Sequence, residues 1–279
     1  NEFSIFVKSS SCEVRSDKKM INYGRKMFYN SIISFFSSQI LLFIISIKLP
    51  MHHVGGYNIL LSLTALTTFL LINLNKIFAP AISKLYSENK IIELDSLYKK
   101  TTFLINLFTI PLVIILTIFS DEILSLYAHD MLQYKNYLFF MLAGGLLSLV
   151  SGSSGTLMIM AGLEKENLQI QFFRGVLLTI FSLLLIPIFG MKSVVILYVL
   201  FMLFVNASQL FLINKKLKIS PFSKGLIILI FLTILIMFFS INQDFSFNLY
   251  HYILLPILIY LLFFGLMYKS VLKIIKEVF

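Results

Sequence analysis

Arg174 is the only charged side chain that falls inside an apolar run of this 279-residue chain. A guanidinium presents a planar fork of donors that matches the paired oxygens of a phosphate or carboxylate, and it stays protonated at any accessible pH. Arg174 lies six residues into an uncharged stretch that starts near Leu168, ~9 Å along a helix. Two readings follow from that depth. In one, the helix begins nearer Phe173 and the side chain reaches back to the headgroups; in the other, it faces a cavity and holds an anionic group.

No carboxylate accompanies it. All 13 acidic residues lie outside the apolar runs. This counts against a proton-coupled pump, which keeps an Asp or Glu at membrane depth, and against a glycosyltransferase or polymerase, which needs an acid or base at the reacting bond. His52 and His53 are adjacent but have no cysteine or carboxylate beside them, so no metal centre is expected. Neither a glycine-rich phosphate loop nor a strained nucleophile turn occurs. The chain is therefore expected to be neither an enzyme nor the holder of a cofactor. The other polar groups at depth are Ser37, Ser38 and Gln39, then Asn73 and Asn75 beside Lys76, then Asn106, Asn206 and Gln209. Such amides and hydroxyls either bond neighbouring helices or line a cavity.

The elements that must position these groups are membrane helices. The chain is 58% apolar and 13% charged with a mean hydropathy of +0.92, whereas soluble domains carry about 25% charge. Eight uncharged or nearly uncharged spans of bilayer length can be drawn, at 28–47, 57–74, 102–120, 137–161, 168–189, 193–213, 225–241 and 250–268. Lys48-Leu49-Pro50 and Gly55-Gly56 read as a turn between the first two. Setting aside Lys48, Lys135 and Lys192 leaves 20 of the 23 Lys and Arg, and all 20 fall on one side of that alternation. Basic residues are retained on the cytoplasmic side, so both termini are expected there. The basic segment 76–101 reads as an interfacial amphipathic helix with Ile91, Leu94 and Tyr98 on one face. Its lysines suit anionic lipid headgroups; they punctuate apolar segments instead of forming an aqueous basic surface, so nucleic acid is not an expected partner. Cys12 is the single cysteine, and no internal disulfide is available. The chain opens Asn1-Glu2-Phe3 with a polar, basic first 26 residues, which reads as a piece of a longer protein.

Several motifs carry a resemblance. Gly56-Tyr57-Asn58 precedes a helix that ends Phe78-Ala79-Pro80-Ala81-Ile82-Ser83-Lys84-Leu85-Tyr86, followed in order by Ile123-Leu124-Ser125-Leu126-Tyr127, a Gly162 turn, and Ile186-Pro187-Ile188-Phe189-Gly190. Over roughly residues 25 to 220 this resembles the Wzx-type polysaccharide flippases of the multidrug/oligosaccharidyl-lipid/polysaccharide exporter superfamily. The resemblance implies an all-α bundle of about eight transmembrane helices: residues 1–26 as a cytoplasmic basic linker, 27–220 as the second six-helix lobe, and 221–279 as two additional helices with a short tail. It also implies an N-terminal six-helix lobe as a missing partner, a bacterial cytoplasmic membrane location, and an undecaprenyl-diphosphate-linked oligosaccharide as substrate, moved by alternating access. Candidate substrate contacts are then Arg174, Asn73, Asn75, Lys76, Asn206 and Gln209. Many relatives carry an acid near the outer end of the lobe's first helix, where this chain has Phe43-Ile44-Ile45-Ser46-Ile47-Lys48. The alternatives are a multidrug or lipid II exporter of the same superfamily, separable by transport assays, and a non-transporting scaffold of a polysaccharide assembly complex.

Overall fold

A computed structural model describes residues 18–241 together with Gly265. The elements run α1 (Lys18–Lys48), α2 (Met51–Ser87), α3 (Ile91–Ile118), α4 (Ser120–Tyr127), a 3-10 segment (His129–Tyr134), α5 (Lys135–Leu149), α6 (Ser154–Met160), α7 (Glu164–Phe189), α8 (Met191–Leu217) and α9 (Lys224–Ile241). No strand occurs among the described residues. Six stretches are long and apolar enough to cross a membrane: Met27–Lys48, Met51–Ser87, Ile91–Ile118, His129–Met160, Glu164–Phe189 and Met191–Leu217. They coincide with the first six expected spans, and the protein is an all-α integral membrane bundle. A lipid-immersed backbone has no water to bond with, so helices that satisfy their own amides are the form such runs must take. The seventh expected span is α9; the eighth, at 250–268, lies outside the described residues, as do residues 1–17 of the expected linker. Residues 18–26 are already part of α1, because lysine and arginine are good helix formers and extend the ladder that the apolar run begins.

Short connections make sequence neighbours antiparallel. Leu49-Pro50 joins α1 to α2, Glu88-Asn89-Lys90 joins α2 to α3, and Gly190 alone joins α7 to α8. Gly190 has φ +57 and ψ −139, a backbone state that a side chain would strain. One end of the bundle therefore collects Lys48, α4 and Gly190, while the other collects the 88–90 turn, the Gly162 turn and the lysines that close α8.

The core is built in three patches. Near the Gly190 end, Ile45, Tyr57, Leu60, Leu138, Met141 and Val194 interlock α1, α2, α5 and α8. At the basic end, Phe78, Ile82, Leu94, Tyr98, Leu157 and Ile213 do the same for α2, α3, α6 and α8. A third patch seats Leu226 and Leu229 of α9 on Phe103, Leu107 and Ile114 of α3.

Three expectations are corrected by this packing. The basic segment is not a separate interfacial helix: α2 continues through Pro80 to Ser87, and α3 starts at Ile91. At 37 residues α2 is ~55 Å long, well beyond the ~30 Å of a hydrocarbon core. Leu94 and Tyr98 are 0% and 3% exposed, so their face packs on protein instead of lipid. Secondly, Gly55-Gly56 is not a turn but part of the first turns of α2. Gly56 is needed because the Tyr134 ring lies on it; a Cβ there would meet ring carbons at 2.5 and 2.6 Å. Thirdly, the fourth span is broken at residues 150–153, between α5 and α6, where Gly152 has φ +57.

Candidate functional site

Halfway through the bundle, a cavity of about 290 Å³ lies between α1, α2, α7 and α8. Ser37, Gln39 and Leu41 line it from α1, Thr64 and Thr68 from α2, Arg174 and Leu178 from α7, and Tyr198 and Phe201 from α8. The close seat of α1 on α7 at this level rests on Gly175, where a Cβ would stand 2.7 Å from Ser37 Oγ. Because α7 begins at Glu164 and not near Phe173, Arg174 is ten residues, ~15 Å, into the helix.

The guanidinium is sparsely held. Arg174 Nη1 donates to Gln171 Oε1 at a long 3.5 Å, and Arg174 Nε is buried with no hydrogen-bond partner among the described residues. Among the described residues, Tyr57 and Tyr198 are the ionisable groups near enough to sense its charge; neither is a carboxylate. Around it the hydroxyl hydrogens are committed to their own helices: Thr64 donates to Leu60 O at 2.8 Å and Thr68 to Ala65 O at 3.0 Å. Both threonines line the cavity. The site thus offers one cation with spare donors, several hydroxyl acceptors, and the Tyr198 and Phe201 rings. Such an arrangement is complementary to an anionic group flanked by hydroxyls.

The other expected contacts lie elsewhere. Asn73 donates to its own helix at Phe69 O, 2.8 Å away, and Lys76 is exposed near the basic end of α2. Asn75 keeps a buried Oδ1 with no partner among the described residues. Asn206 and Gln209 are brought together on α8, in a buried polar layer beside the helix break. Asn206 donates to Ser148 Oγ at 2.7 Å and accepts from Ser151 Oγ at 2.8 Å. Gln209 accepts from Ser154 Oγ at 2.7 Å and donates to Asn167 Oδ1 at 2.8 Å, and Asn167 reaches Asn30 Oδ1 at 3.5 Å. This chain of bonds ties α1, α5, α6, α7 and α8 together, and none of its members lines the cavity. Thr64, Thr68 and Tyr198 were not singled out from sequence. Their signal was present: two threonines at i,i+4 in an uncharged run share a helix face. Among the described residues no cluster of His, Cys, Asp or Glu could hold a metal ion.

Residues 5–130 match the sequence family described as polysaccharide biosynthesis protein. Over 117 residues the chain is 34% identical to the capsular polysaccharide biosynthesis protein CapF of Staphylococcus aureus; the match covers 41% of this chain and 29% of that relative. The chain thus spans less than a third of the curated relative it matches. No solved structure matches the chain. Both likenesses are to proteins of polysaccharide biosynthesis. The family match reaches the α1 and α2 walls of the cavity but ends before Arg174 and Tyr198.

Proposed function

We propose that this chain is the C-terminal lobe of a flippase that moves a lipid-linked oligosaccharide across the bacterial cytoplasmic membrane, with Arg174 holding the diphosphate of the carrier. The observation that carries the reading is a buried guanidinium with an unused donor, facing a cavity at mid-bundle with no carboxylate among the described residues to neutralise it. A charge kept at that depth is costly and is retained where it meets a ligand. A cavity of about 290 Å³ is at the small end for a ligand site, so it suits the diphosphate and an adjoining sugar, not a whole repeat unit. The remaining path is supplied by an N-terminal six-helix lobe, against which this one rocks in alternating access. The reaction is transport without covalent chemistry, and the basic ends of the helices face the cytoplasm.

The test is flipping of a lipid-linked oligosaccharide by the full-length protein in proteoliposomes. Arg174→Lys keeps the charge but loses the planar fork, and is expected to lower the rate clearly; Arg174→Gln is expected to abolish it. Undiminished flipping by Arg174→Gln overturns the assignment of the diphosphate contact.

A further inference from the structure

Packing alone does not account for the hydroxyl of Tyr57, the middle residue of Gly56-Tyr57-Asn58. The residue is 1% exposed, and its ring belongs to the apolar patch at the Gly190 end. Unlike the threonine hydroxyls of the cavity, neither Tyr57 Oη nor Tyr198 Oη takes part in a hydrogen bond among the described residues. Phenylalanine would fill the same space without burying an O–H that has no acceptor, which is costly to keep.

The two phenols and Arg174 belong to one group. Tyr57 stands six residues into α2 and Tyr198 seven residues into α8, so both are anchored ~10 Å from the Gly190 end. Tyr57, Thr64 and Thr68 are spaced i, i+7, i+11 and share a face of α2. Tyr57 therefore sits at the Gly190 side of the cavity that Thr64, Thr68 and Tyr198 line. It is near enough to both Tyr198 and Arg174 to sense their charge, and Arg174 Nε is itself buried and unpaired. Three helices thus bring unspent donors together, with no carboxylate among the described residues close enough to compete.

The number of donors bears on what they hold. A guanidinium edge engages two oxygens of one phosphoryl, and each phenol can engage one more. A diphosphate esterified at both ends has two terminal oxygens on each phosphoryl, enough for the fork and both phenols. A single phosphodiester has two in all and leaves the phenols unspent. Building on the reading of Arg174 as the diphosphate contact, we infer that Tyr57 and Tyr198 donate to the second phosphoryl. The site thereby selects sugars joined to their lipid through a diphosphate over those joined through one phosphate.

The test uses the full-length protein in nanodiscs, with a polyprenyl diphosphate monosaccharide and the matching polyprenyl monophosphate monosaccharide as probes. The diphosphate is expected to bind roughly tenfold tighter or more. Tyr57→Phe and Tyr198→Phe keep the ring and remove only the hydroxyl. Each is expected to weaken the diphosphate probe by roughly tenfold and to narrow its advantage, while the melting temperature without probe stays level or rises. Level binding with a lower melting temperature would give the hydroxyls a purely structural role and overturn the inference. Equal affinity of the wild type for the two probes would overturn it as well. Arg174→Gln separates it from the reading it rests on: loss of binding in that variant alone keeps the arginine contact and rejects the phenols, whereas undiminished binding in all three variants rejects both.

Discussion

Two adjacent glycines in α2 show how far a residue's effect depends on what faces it. Gly55 has nothing within 4 Å of a would-be Cβ, whereas Gly56 has the Tyr134 ring at 2.5 Å. Tyr134 is held on two sides: it is 1% exposed, and its Oη lies 2.8 Å from His53 Nδ1. The ring has no room to swing. Gly55→Ala is therefore expected to stabilise the protein by about 1 kcal/mol, the helix-propensity difference. Gly56→Ala is expected to destabilise it by about 1–3 kcal/mol through overpacking. Unfolding of both variants in denaturing detergent checks the pair; equal shifts would mean that Tyr134 moves freely. At Arg174 the same logic applies to charge. Its neighbours leave a donor unused, so its worth is measured by what enters the cavity more than by what surrounds it.

At the scale of elements, a layer of polar bonds ties the helices together in the basic half of the bundle, among the apolar contacts that pack it. Gln209 sits between α6 and α7, and Asn206 between α8 and α5, with Ser154 Oγ and Ser151 Oγ joined at 3.5 Å. Gln209→Leu leaves Asn167 and Ser154 short of partners and is expected to cost about 1–2 kcal/mol. Asn206→Leu should cost a similar amount. Because the two share the Ser151–Ser154 link, the double variant is expected to lose less than the sum of the singles. Strict additivity in a double-mutant cycle would show that the layer is not one network. A second device fixes the basic end: Asp95 accepts from Lys99 Nζ at 2.5 Å and from the Ser220 backbone N–H at 3.1 Å. It thereby ties the start of α3 to the segment between α8 and α9.

For the whole molecule, the question is which end of the bundle meets the cytoplasm. Leu126, at the end with α4, is 84% exposed, and Ile92, at the basic end, is 88% exposed, so cysteines there would be reachable without disturbing the core. With Cys12 changed to serine, Leu126→Cys is expected to react with an impermeant thiol reagent on intact cells. Ile92→Cys is expected to react only after permeabilisation. The opposite pattern would invert the proposed orientation and, with it, the direction of export.

Much of this was legible in the sequence, for a reason of scale. Whether a run of about 20 residues enters a bilayer depends on the residues themselves and on a fixed hydrocarbon thickness. Composition and spacing alone therefore located six apolar spans that the described residues contain, and gathered the lysines toward one end of them. Arg174 stood out likewise, as a lone charge in an apolar run. Facing was not legible. Lipid tails and protein interior are equally apolar, so helices buried on one side and lipid-bathed on the other show little periodicity. Nothing in sequence told Asn73, bonded to its own helix, from Gln209, 4% exposed and bonded across two others. Nor did the strongest breakers mark the break: Pro80, Pro111 and Pro187 all lie inside continuous helices, while the interruption falls at Ser151-Gly152-Ser153. A freed backbone carbonyl survives in a membrane only where a neighbour bonds it. Tyr98 bonds Ser151 O and Asn106 bonds Leu149 O from more than 40 residues earlier in the chain, and only the tertiary structure brings them there.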